Sequence, residues 1–250
     1  MQRKAIPVFL SIGLSALVLG AALGTAAPAG ARPADENPFL RQNQQQQAAA
    51  AARTGLAQLT RRYLAEQDGR PRPLPFELAS VQDLTRAAVG QGFEVHTVDP
   101  ADVLAGRSDV AGMVRPTGEW RFVVSVDERP VGLVTVRQAG GRWEAVSFGA
   151  AELSKEVSGL MARHGNAQRS NLRFVRVLQA RSDFLEVTSE KDFGKRYAPL
   201  KSARQSLSLR QGGRPEGRAE GRAEGDGLID GGEFLEPLRA AIKANMAEFR

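Results

Sequence analysis

The sequence predicts an α+β fold: an antiparallel β-meander with helices packed on one face, plus a tethered C-terminal amphipathic helix. Three observations carry that expectation. Between Trp120 and Phe148, three β-rich runs are separated by Asp127-Glu128-Arg129-Pro130 and by Ala139-Gly140-Gly141, turns with the length and chemistry of hairpins. On both sides of this stretch, apolar residues recur at three- and four-residue steps, the spacing of helices. Near the C-terminus Phe234, Leu238, Ile242 and Met246 step by four, with Leu235 and Phe249 beside them, as an amphipathic helix requires.

Taken from the N-terminus, residues 1–31 read as a secretory signal peptide. Arg3 and Lys4 precede an apolar stretch from Ile6 to Leu23, and Ala29-Gly30-Ala31 offers a small-residue cleavage site. Retention of this stretch as an anchor is the alternative. Residues 32–75 read as a linker, RPADENP, then a helix from about Gln44 to Glu66 that Gly69 and the following prolines end. The Gln/Ala-rich first half of that helix has no apolar stripe apart from Ala, so it is expected to lie exposed or frayed.

The α+β domain is expected over 76–209. Leu78, Val81, Leu84, Ala88 and Val89 predict a second helix over 77–90, with Ser80 as its N-cap. A strand follows from Phe93 to Val98, and Asp99-Pro100 opens a helical turn through Leu104. After the meander, Leu153, Val157, Leu160 and Met161 predict a helix that ends at His164-Gly165. Strands are expected at Arg173–Gln179 and Phe184–Thr188, and Tyr197 to Leu209 is open to either a strand or a short helix. Residues 210–229, built on a GRAE repeat with Gly every fourth residue, are expected to be a linker. Residues 230–250 carry the C-terminal helix.

The run FVVSVDERPVGLVTVRQAGGRWEAVSFG resembles the sheet of extracytoplasmic domains of the cystatin-like and PepSY type. Asp127-Glu128-Arg129-Pro130 and Gly141-Arg142-Trp143 carry the resemblance, which covers at most residues 77–190. It implies a helix laid on an antiparallel sheet, and a noncatalytic module that binds or restrains a partner protein.

Composition narrows the chemistry. The 250-residue chain has no Cys and two His, which excludes disulfides, a Cys nucleophile and thiolate metal centres. No G-x-S-x-G, H-E-x-x-H or phosphate-binding Gly motif is present. His96 falls on a strand and His164 at a helix end, neither with a catalytic partner at a recognisable spacing. Trp120 and Trp143 read as core anchors. The net charge of +6, falling to +4 without Arg3 and Lys4, is scattered. It gives weak attraction to anionic surfaces and no argument for nucleic acid.

Residues 222–234, RAEGDGLIDGGEF, resemble a degenerate EF-hand loop. Glu224, Asp226, Asp230 and Glu233 match acidic positions and would be the calcium ligands, whereas Arg222 replaces the first one. The same acids have a metal-free explanation, because Asp230 and Glu233 also form a capping box. The expectation is a secreted or periplasmic noncatalytic module that binds a protein or peptide. The alternatives are a calcium-responsive protein and a hydrolase whose site is assembled from distant residues.

Overall fold

The computed structural model describes residues 38–65, 73–209 and 226–248. The expected signal peptide, Glu224 and most of the Gly-rich linker lie outside them. No helix among the described residues is long and apolar enough to cross a membrane.

Helix α1 (Pro38–Ala65) is followed by a single 3₁₀ turn (Val81–Arg86) and strand β1 (Ala88–Val98). The short helices α2 (Pro100–Leu104) and α3 (Val110–Met113) lead into the meander, β2 (Val114–Val126), β3 (Arg129–Ala139) and β4 (Arg142–Gly149). Helix α4 (Ala151–His164) then crosses to β5 (Leu172–Val177), β6 (Ser182–Thr188) and β7 (Lys195–Pro199), and α5 (Lys201–Ser206) and α6 (Gly231–Glu248) are the last of the described elements. The strands form one α+β sheet in the order β4-β3-β2-β1-β5-β6-β7.

Local chemistry makes the meander. Asp127 and Glu128, at φ 48° and 64°, turn β2 into β3, and Gly140 and Gly141, at φ 55° and 79°, turn β3 into β4. Two consecutive left-handed residues form the turn whose twist matches that of the flanking strands. The ion pair of Arg86 with Asp127 ties the first hairpin tip to the 3₁₀ turn.

The expected helix over 77–90 is corrected. Only Val81–Arg86 is helical, opened by a capping bond from Ser80 N to Asp83 Oδ2 at 2.9 Å. Ala88 and Val89 already pair with Ser125 and Val124. Pairing with a long strand outweighs a local helical pattern. The sheet is also not wholly antiparallel, since β1 and β5 run parallel through Val95↔Phe174. The α4 crossover, which leaves the β4 edge and returns on the far side of β1, makes that direction possible.

Helices cover both faces of the sheet, not one. Ala48, Ala52 and Leu56 of α1 pack with Trp120, Phe122, Val124, Val134 and Val136. Val157 and Met161 of α4 pack with Val123, Leu133, Phe174 and Leu185. Adjacent strand residues point to opposite faces, so Val123-Val124 and Leu133-Val134 each feed two cores. Burial at every position from Val131 to Val136 reports this two-sided covering. Glu94 and His96 share a face of β1 and pair with Trp120 and Val175 respectively. Val175 therefore lies on the α1 face, where α6 packs with α2 and α3 over β5–β7. There Phe234 stacks on Phe184 at 4.4 Å and meets Tyr197 edge-on at 5.1 Å.

The first half of α1 is helical with Gln42–Gln47 exposed, as expected, and it is seated on the sheet only at Ala48 and Ala52, whose small side chains allow close approach. At Gly55 an added Cβ would stand 2.3 Å from the Ala145 Cβ of β4. Gly55→Ala would normally stabilise a helix by about 1 kcal/mol. Here it is expected to destabilise the fold by about 1–3 kcal/mol, because the obstructing atom belongs to a strand that cannot yield cheaply. Urea unfolding of the variant checks the sign.

Candidate functional site

The two ends of the sheet are finished differently. At β7, Ile229 adds itself as one further bridge: Tyr197 N donates to Ile229 O and Ile229 N to Tyr197 O, both at 2.8 Å. At the other end β4 is the last strand among the described residues. In a two-residue hairpin the closing pair, here Ala139 and Arg142, exchanges both hydrogen bonds, and pairs then alternate along the ladder. The register Gln138↔Trp143 and Val136↔Ala145 therefore turns the N–H and C=O of Trp143 and Ala145 outward. A register shift opposite Thr135/Val136 bulges the strand at Val146 and limits the open edge to its first half.

Beside that edge runs a groove of about 700 Å³, bounded by the flank of α1 and the start of β4. Gln47, Ala51, Thr54 and Gln58 of α1 form one wall, and Trp143 and Ala145 belong to the other. The wall on α1 follows from the helical repeat. Ala48, Ala52 and Leu56 are buried on the sheet, so residues one step round the helix face the groove. Small side chains leave it open, and the amides and hydroxyl supply hydrogen-bonding groups suited to a peptide backbone. Trp120 is a buried core residue, whereas Trp143 is only half-buried and supplies an aromatic surface. The sequence marks this α1 flank only through its Gln/Ala tract, which is helical but too polar for a core stripe.

The acids of the calcium-like loop are placed differently. Asp226 accepts from Arg196 Nη1 at 2.9 Å and from Leu228 N at 3.1 Å. The Asp230 carboxylate lies 3.7 Å from Arg196 Nε. Glu233 Oε1 accepts from Asp230 N at 3.0 Å, the capping-box bond that opens α6. Arg196 thus supplies positive charge to Asp226 and Asp230, and a calcium ion bound by both would have to displace it. Among the described residues no group of three or more His, Asp or Glu converges as a metal site.

The two histidines are placed apart, on β1 and at the end of α4. His96 is 4% exposed, with Nδ1 3.3 Å from Glu94 O and Nε2 3.9 Å from a Glu94 carboxylate oxygen. Burial first, then the charges of Arg41 and Arg173, push its pKa down to about 4. His164, at the end of α4, is also held below its ordinary value, mainly by burial. Neither the groove nor the cavity between the sheet and the start of α4 is lined by a histidine. Asp99 caps α2 by accepting from Ala101 N at 2.8 Å, and Asp102 pairs with Arg107 at 3.0 Å.

The chain matches no protein-family model, no curated protein and no solved structure.

Proposed function

We propose that this chain is a secreted or periplasmic noncatalytic module that binds a partner protein by taking an extended segment of it as an added strand on β4. The observation that carries the reading is the open β4 edge beside the α1 groove, with the backbone groups of Trp143 and Ala145 turned outward. Strand addition draws affinity from main-chain hydrogen bonds and specificity from pockets for alternate side chains. The self-supplied Ile229 bridge on β7 leaves β4 as the edge available for a partner. A long helix laid across an antiparallel meander is the arrangement that the cystatin-like and PepSY-type resemblance implies, and it supports a binding role over a catalytic one. The signal-like residues 1–31 support export.

Selection of a phage-displayed dodecapeptide library on the chain, followed by amide hydrogen exchange with the selected peptides, tests the reading. Protection of the Trp143 and Ala145 amides is the expected result. Ala145→Pro removes one outward donor without removing a β3–β4 bond, and Thr54→Trp fills the groove from α1. Each is expected to weaken peptide binding about tenfold or more. Peptides that protect other regions, or that bind both variants undiminished, would overturn the proposal. So would a β4–β4 dimer in sedimentation that Ala145→Pro dissociates, since a second copy would then be the occupant.

A further inference from the structure

On the sheet face opposite α1 a second cavity, of about 240 Å³, lies between the sheet and the start of α4. We infer that it is a binding site for a small oxyanion, a phosphate or a carboxylate group. Arg121, Thr135 and Ser147 form one row across β2, β3 and β4, and all three line the cavity. Arg176 joins them from β5, its guanidinium 5.6 Å from the Phe174 ring centre.

Both guanidinium groups are held in place. Arg121 uses Nε and Nη2 on Glu119 Oε1, at 2.9 and 2.8 Å. Arg176 uses Nε and Nη2 on the two carboxylate oxygens of Asp183, at 2.6 and 3.0 Å. Glu119 is shared with Arg137 at 3.3 Å, so three guanidinium groups face two carboxylates. The bonds to the acids orient the forks, and among the described residues Nη1 of Arg121 and Nη1 of Arg176 have no hydrogen-bond partner. Those two donors and the Thr135 and Ser147 hydroxyls are what a tetrahedral or planar oxyanion accepts from.

Two further features add to the attraction. Gly149, Ala150 and Leu153 line the cavity, so the first turn of the 14-residue α4 borders it. Its N-cap, Ala150, has no side chain that could accept from the open N–H groups there, and a helix start favours negative charge. Burial, and then the like charge of Arg176, hold Arg121 below its ordinary pKa. An anion between the two arginines relieves that repulsion.

Isothermal titration of the full chain with inorganic phosphate and with acetate, at matched chloride ionic strength, tests the site. Saturable binding of at least one anion is expected. Preference for phosphate marks a phosphate site, and preference for acetate marks a carboxylate site. Arg121→Gln and Arg176→Gln are each expected to weaken binding about tenfold or more, with Thr135→Val and Ser147→Ala weakening it less. Absence of binding by both anions overturns the inference, as does wild-type affinity in both arginine variants. If circular dichroism shows the arginine variants unfolded, unchanged affinity in Thr135→Val and Ser147→Ala overturns it. Ala145→Pro, on the groove, is expected to leave anion binding unchanged, so the two sites are read separately.

Discussion

Replacing Glu186 with Ala is expected to destabilise the fold by about 3–5 kcal/mol, the cost of breaking a buried ion pair from one side. Glu186 has no exposed surface. Arg173 donates to it through Nε at 2.7 Å and Nη2 at 2.8 Å, and the Tyr197 hydroxyl at 3.2 Å. The Lys195 ammonium stands 3.9 Å away. Truncation strands the largely covered Arg173 guanidinium and leaves the Tyr197 hydroxyl without its acceptor. Burial, and then the Glu186 charge, drive the Tyr197 pKa upward, so this phenol stays protonated and serves as a donor. Because Tyr197 also supports Phe234, the damage reaches the seat of α6. Urea unfolding measures the loss, and a value below about 1 kcal/mol would show that the pair is not energetically buried. The double variant Arg173→Met/Glu186→Leu is expected to recover much of the loss, since an apolar pair avoids the desolvation that an ion pair must offset.

A second large effect belongs to His96 and to acid. Its pKa falls from 6.5 to about 4 in the folded chain. Above pH 6.5 both folded and unfolded chains carry the neutral ring, and this group contributes nothing to pH dependence. As the pH drops below that value the unfolded chain binds a proton and the folded chain does not. Stability is therefore lost progressively down to about pH 4, by about 3 kcal/mol, and no further below it. The Arg41 and Arg173 charges oppose the imidazolium, while the neighbouring Glu94 carboxylate is its nearest compensation. Urea midpoints measured from pH 7 to 4 are expected to fall more steeply for the wild type than for His96→Gln. Parallel pH profiles would refute the assignment.

Much of the fold is legible where the determining interactions are close in sequence. The β2–β3–β4 meander follows from alternation and two short turns. Helix α4 follows from a 3.6-residue repeat, and the capping role of Glu233 toward Asp230 from a three-residue spacing. Reading fails where the decisive partner is distant. Ala88 and Val89 fit a helix until Ser125 and Val124 are available to pair with them. The alanines of α1 look too weak to seat a helix until a two-sided sheet lies beneath them. Trp143 packs in part against the α1-face core, as a core anchor should, but nothing in its neighbourhood reveals that β4 is an edge and leaves it half-buried.

By itself, then, the sequence determined the α+β class, the hairpins, most of the helices and the exclusion of thiol and disulfide chemistry. Each depends on the identity of a residue or on its near neighbours. Tertiary structure alone decided the order of the seven strands, the parallel β1–β5 pairing, the covering of both faces, the α1–β4 groove and the meeting of Arg121 with Arg176. These arise from contacts between segments tens of residues apart, such as β1 with β5. Which distant strands pair is settled by how the whole set of apolar faces can be buried at once, and no local window of sequence contains that choice.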